Sequence, residues 1–234
     1  NYNLGIIFQK LGEHQKAKDY FKRATQLNPK NIKAYYNLAT IFYKFADYQK
    51  AMSCYEKILE INPNLADPYN NIGVIYSDLK DFKKAINCYE KAIVIDPNFA
   101  DPHNNLGAIY VDLGDLEKAI GCYKRAIELN PEYDEAIFNL ASIFRIINFS
   151  YFPKKQVKSY KELFIILFKN NSIKHSDIAC DMRLYFFSEL SDSQLQQLIF
   201  SKSLLLTNVF IQNFLKEELL HLILQKSLIP EEFI

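Results

Sequence analysis

Pro29, Pro63, Pro97 and Pro131 stand 34 residues apart, and so do Ala17, Ala51, Ala85 and Ala119. The aromatic residues Phe21, Tyr55, Tyr89 and Tyr123 keep the same step, as do Phe8, Phe42, Tyr76, Tyr110 and Phe144. One further column holds only small residues: Gly5, Ala39, Gly73, Gly107 and Ala141. This period constrains the fold more than composition does. A unit of this size cannot bury its own apolar face, so successive units must stack into a solenoid.

Within a unit the pattern reads as two short helices. In the third, Asp67 is placed to cap a helix and Pro68 to take its first position, where a missing N–H does no harm. Ile72, Val74, Ile75 and Tyr76 follow at helical spacing. The pattern breaks at Leu79–Lys80, Asp81 offers a second cap, and a second helix runs through Ala85, Tyr89 and Ala92. Pro97 ends it, because proline cannot continue a helix. Gly73 and Ala85 leave no bulk where helices cross, and the aromatics fill the space beside them. The expected fold class is all-α.

These columns resemble the tetratricopeptide repeat, from the small residue ahead of the aromatic to the proline that closes each unit. The resemblance covers residues 1–148: four units, the first without its start, and the first helix of a fifth. It implies a right-handed α-α superhelix whose first helices line a concave face. Where the family often carries tryptophan, this chain has Tyr35, Tyr69, His103 and Ile137, so His103 reads as a packing residue. After Phe144 the period fails, and Pro153 stands where an alanine is due. Residues 149–234 read as irregular amphipathic helices, about 154–170, 176–190, 192–206 and 208–226, that cap the end of the array. The abrupt ending at "PEEFI" reads as a protein that continues. The tail is faintly similar to helical regions preceding the catalytic domains of bacterial repeat-containing transferases.

A poor helix former also keeps the period. Asn3, Asn37, Asn71, Asn105 and Asn139 each sit just ahead of the apolar residues of a first helix, although asparagine favours caps and turns. Helical spacing puts Asn70, Val74, Ser77 and Asp78 on the same side as Asn71, and Asn104, Ala108, Val111 and Asp112 on the same side as Asn105. Small and polar residues there read as a surface meant to stay open. A carboxamide has two donors and an acceptor, so a ladder of them can take the backbone of an extended peptide whatever its side chains. The superhelical repeats of O-GlcNAc transferase carry such a ladder, and the resemblance implies a similar one here. The alternative is that duplication copied one asparagine that bonds only to a neighbouring helix. Around the ladder, Asp67, Asp78, Asp101, Asp112 and Glu135 present acid in the later units, while Lys10, Lys33 and Lys44 present base in the first two. The expected partner is a protein or peptide segment with basic residues over the third and fourth units. Phosphates would be repelled there, so nucleic acid is not expected.

The remaining features narrow the function class. Basic and acidic residues number 28 and 27, for a formal charge of +1, so no global field attracts polyanions. The longest apolar runs, such as Leu163–Phe168, are too short to span a bilayer. Cys54, Cys88 and Cys122 occupy one repeat slot, a spacing no metal-ligand pattern uses, and with Cys180 they read as reduced thiols of a cytoplasmic protein. His175 and Cys180 are five apart, off one helical face, and no orienting acid accompanies them. No cofactor, metal or catalytic residue is expected. Three readings follow: an adaptor that binds peptides in the concave groove, the substrate-recognition arm of a larger transferase (a glycosyltransferase or methyltransferase), and a scaffold that forms homo-oligomers by stacking repeat ends.

Overall fold

A computed structural model of the chain describes residues 1–146, among which there are nine α-helices and no strand. The chain divides into two compact units, Asn1–Glu132 and Tyr133–Ile234. The first holds four hairpins: α1 (Tyr2–Lys10) with α2 (His14–Leu27), α3 (Ile32–Lys44) with α4 (Tyr48–Ile61), α5 (Ala66–Asp78) with α6 (Phe82–Ile95), and α7 (Ala100–Asp112) with α8 (Leu116–Leu129). Of the second unit, α9 (Asp134–Ile146) is described. The helices expected between 154 and 226, their capping role, Pro153, His175 and Cys180 lie outside the described residues.

Each hairpin turns on one left-handed residue. Lys80 has φ 60°, and Gly12, Ala46 and Gly114, in the same slot, have 77°, 56° and 77°. The Lys80 N–H donates to the Ser77 carbonyl and the Asp81 N–H to the Tyr76 carbonyl, both at 2.9 Å. That pair of bonds closes the end of α5 as a Schellman motif. Asp81 then begins the next helix: its carboxylate accepts from the Lys84 amide at 3.2 Å and pairs with the Lys84 ammonium at 2.9 Å. Asp47 and Asp115 cap α4 and α8 in the same way. In all three the lysine side chain is the main cause that holds the carboxyl below its ordinary pKa.

The first helices start two residues earlier than the sequence implied. Leu65 precedes α5, so Asp67 and Pro68 are its second and third residues and Asp67 caps nothing. The first four N–H groups of a helix have no partner within it, so proline is tolerated at the third position, and Asp67 still complements the helix dipole. Phe99 precedes α7 in the same manner, whereas Asn31 caps α3 with its side chain, accepting from the Ala34 amide at 3.1 Å.

The small and aromatic columns form the core. Ala17, Ala51, Ala85 and Ala119 are fully buried, as are Phe21 and Tyr89 to within 1%. A Cβ on Gly5, Gly73 or Gly107 would lie 2.6 Å from a ring carbon of Phe21, Tyr89 or Tyr123. Between hairpins, α2 packs on α3, α4 on α5 and α6 on α7, burying Leu38 and Ile41, Ile72 and Ile75, and Leu106 and Ile109. The same slots in α1 are Leu4 and Ile7, exposed by 43% and 51%.

Gly73→Val should destabilise the array by about 1–3 kcal/mol, because the buried Tyr89 ring cannot yield. Gly121→Ala, whose Cβ meets nothing, should stabilise it by about 0.8–1 kcal/mol through helix propensity. Denaturant midpoints check both signs. The depressed carboxyls of Asp47, Asp81 and Asp115 contribute stability that is present above the unfolded aspartate pKa of about 3.9 and lost as pH falls through the folded values. Thermal melts from neutral pH down to about pH 2 should show this loss. Replacing all three by asparagine, which caps without ionising, should flatten it.

Candidate functional site

The ladder asparagines occupy the same slot of each first helix. Asn37, Asn71 and Asn105 are half-buried on α3, α5 and α7, Asn3 is exposed on α1, and Asn139 is half-buried on α9 in the second unit. Four residues before the ladder stand Lys33, Asp67, Asp101 and Glu135; seven after it stand Lys10, Lys44, Asp78 and Asp112. All eight are exposed. Steps of four and seven keep residues on one helical face.

The carboxamides already have partners within the protein. Asn105 Nδ2 donates to Asn70 Oδ1 at 3.0 Å, joining α7 to α5. Asn37 Nδ2 donates to the Lys33 carbonyl at 2.8 Å and reaches the Tyr2 hydroxyl at 3.4 Å. Asn71 stands near the Tyr36 hydroxyl, which is buried and forms no hydrogen bond of ordinary length. Burial is the main cause that raises the Tyr36 pKa, and Asn71 opposes it. Apart from the bond to Lys33, which stays within α3, each of these contacts spans 35 residues, from a ladder residue back to the slot before the preceding ladder residue.

That slot corrects one expectation. Asn70 and Asn104 are only 6% and 1% exposed, so they do not lie on an open surface. One residue is about 100° of helix rotation, which turns Asn70 toward the next hairpin, where Asn105 meets it. The duplicated asparagine therefore does bond to a neighbouring helix. It keeps some capacity nonetheless: among the described residues no bond reaches Oδ1 of Asn37 or Asn105.

Sequence reasoning missed several residues of this site. The Tyr43 hydroxyl donates to Asp78 at 2.7 Å, again across 35 residues, and burial followed by Asp78 raises the Tyr43 pKa. Lys80 pairs with Asp112 at 3.3 Å, and Lys44 Nζ approaches His14 Nε2 at 2.8 Å. A search for side-chain oxygens 35 residues before each ladder asparagine would have found Tyr2, Tyr36 and Asn70.

The titratable groups in the core are quiet. Burial pushes the Cys54 and Cys122 thiols up to about 11 and raises Cys88, so none is a ready thiolate near neutral pH. His103 is half-buried, and burial with the Arg125 charge lowers its pKa. No group of metal-ligating side chains occurs among the described residues, and none of the described helices is long and apolar enough to cross a membrane.

Stacked helical hairpins with open first-helix faces define a helical repeat protein of the interaction type. The tetratricopeptide repeat model matches residues 2–31, 32–65 and 100–133, a second tetratricopeptide repeat model matches 54–87, and a TPR repeat model matches 75–114. Together they run from residue 2 to residue 133, and the chain belongs to the tetratricopeptide repeat family. No curated protein matches it by sequence. Among solved structures it is similar to MamA, at 20% identity and a TM-score of 0.56 over 69% of this chain and 93% of MamA. It is similar to MamA (41-end) from Desulfovibrio magneticus RS-1, at 27% and 0.51 over 57% of this chain and 75% of that one. It also resembles YrrB, described as a TPR protein with an unusual peptide-binding site, at 18% and 0.52 over 75% of this chain and 87% of YrrB. The array is a protein–protein interaction module of a fold that is typically non-catalytic.

Asn105→Ala would leave the buried Asn70 oxygen without its donor, which should cost about 1–3 kcal/mol. Pairing it with Asn70→Ala should cost less than the two single losses combined, with a coupling of about 0.5–3 kcal/mol in a double-mutant cycle by urea melts. Strict additivity would remove the bond from the account.

Proposed function

We propose that the array binds an extended peptide segment along the ladder stripe of its first helices, which line the concave face in this family. The observation that carries the reading is the state of the carboxamides. Bonds from Nδ2 to Lys33 and Tyr2, and from Nδ2 to Asn70, fix the side chains of Asn37 and Asn105 and leave Oδ1 as an acceptor. A row of fixed acceptors suits the N–H groups of an extended backbone at little entropic cost. This reading narrows the ladder: Asn37 has spent both donor hydrogens and can only accept, whereas Asn105 keeps one. Asp67, Asp78, Asp101 and Asp112 favour a partner with basic residues over α5 and α7 and disfavour nucleic acid. YrrB combines the same fold with a peptide-binding site.

A typical hydrogen bond nets about 0.5–1.5 kcal/mol. Peptides selected by display on the whole chain should therefore bind Asn37→Ala about 2–12-fold more weakly than wild type, by fluorescence anisotropy. The fold should hold, because the bond lost to Lys33 is exposed and the one to the Tyr2 hydroxyl is long, at 3.4 Å, and only part-buried. Selected peptides indifferent to Asn37→Ala, or a display that returns none, would sink the groove reading.

A further inference from the structure

We infer that the partner of the ladder stripe is bipolar, an extended segment with acidic residues facing α1 and α3 and basic residues facing α5 and α7. This rests on the groove reading and adds to it a partner with a sign change and a fixed register.

Two columns of charge invert together. Four residues before the ladder the order is Lys33, then Asp67 and Asp101; seven residues after it the order is Lys10 and Lys44, then Asp78 and Asp112. The two columns lie at opposite ends of the first helices, and both change sign between α3 and α5. Packing does not demand this, because every one of these residues is exposed. Internal partners do not cancel it either. Lys44 meets a histidine nitrogen rather than an acid. Asp78 accepts from the neutral Tyr43 hydroxyl, a bond that crosses the boundary from the basic helix to the acidic one and leaves the charge in place. Asp112 does pair with Lys80, but the two side chains are 51% and 72% exposed, and such exposed pairs contribute little and exchange readily.

Neighbouring helices pack about 8–10 Å apart, and an extended chain advances about 3.3 Å per residue. One hairpin therefore corresponds to about three partner residues, and each charge block to about six. A segment of about twelve residues spans the four first helices of the unit. A purely basic peptide would face the lysines of α1 and α3, where like charges oppose.

The test uses the whole chain and synthetic peptides of about twelve residues. One has an acidic N-terminal half and a basic C-terminal half, a second has the reverse order, and a third alternates the signs at identical composition. Anisotropy in dilute salt, where screening is weak, should show one block order binding about tenfold tighter than the alternating isomer. The preference should shrink in about 0.5 M salt, shrink in Asp78→Asn/Asp112→Asn, and shrink further when Asp67→Asn and Asp101→Asn are added, with each fold checked by circular dichroism. Equal binding of all three peptides, undetectable binding of all three, or a preference left undiminished when all four aspartates are replaced would overturn the inference. If block and alternating isomers bind alike while display-selected peptides still depend on Asn37, the charge inference falls and the groove reading stands. If the block preference follows the aspartates but Asn37→Ala changes nothing, the ladder contact falls and the bipolar surface stands.

Discussion

Everything in the array depends on the approach of a glycine or alanine backbone to an aromatic ring inside each hairpin. At Gly5, Gly73 and Gly107 the ring carbon stands where a methyl group would need to be, so the first helix lies with its backbone directly against the ring of the second. That spacing sets where the turn falls, and the turn must then use a left-handed residue to bring the second helix back. Glycine does this at Gly12 and Gly114, while Ala46 and Lys80 adopt a conformation that side chains disfavour. The two-residue break at Leu79–Lys80 and the cap at Asp81 follow directly. A small residue, a ring and a left-handed turn make one geometric statement, repeated four times.

Stacking adds a second requirement. Leu38 and Ile41 are buried and Leu4 and Ile7 are not, although the residues are alike and occupy the same slots. Burial here belongs to the pair of hairpins and not to the hairpin alone. Nearest-neighbour interfaces of this kind make a solenoid cooperative along its length. They also leave one side of the first helices exposed, where Lys33, Lys44, Asp67 and Asp78 stand.

How much of this could be read from the sequence depended on whether a residue's partner lay at a fixed step. The period, the hairpins, the close approach at Gly73, the break at Leu79–Lys80 and the cap at Asp81 were legible because each is local or repeats. The start of α5 was not. Asp67–Pro68 is a strong cap-and-proline signal, and only the extended conformation of Leu65 shows that the helix begins earlier. Asn70 was misplaced for a related reason. Counting around one helix puts it beside Asn71, but its surroundings are set by α7, and a single helix cannot report on its neighbour. The 35-residue step from Asn105 to Asn70 was present in the sequence, yet it joins two different slots, and the partner slot of Tyr2, Tyr36 and Asn70 mixes phenols with a carboxamide.

A repeat protein separates its structural positions from its free ones. Slots that keep one chemistry through all four hairpins, such as Ala17, Ala51, Ala85 and Ala119, are held by packing, since each copy faces the same neighbours. Slots that stay exposed are under no such obligation. The column Lys10, Lys44, Asp78, Asp112 is one of them. It changes sign once, in step with a second column at the other end of the same helices, while the asparagine between them does not change. On the proposed reading the constant asparagines take the main chain of one extended segment, and the charges that switch together set its register.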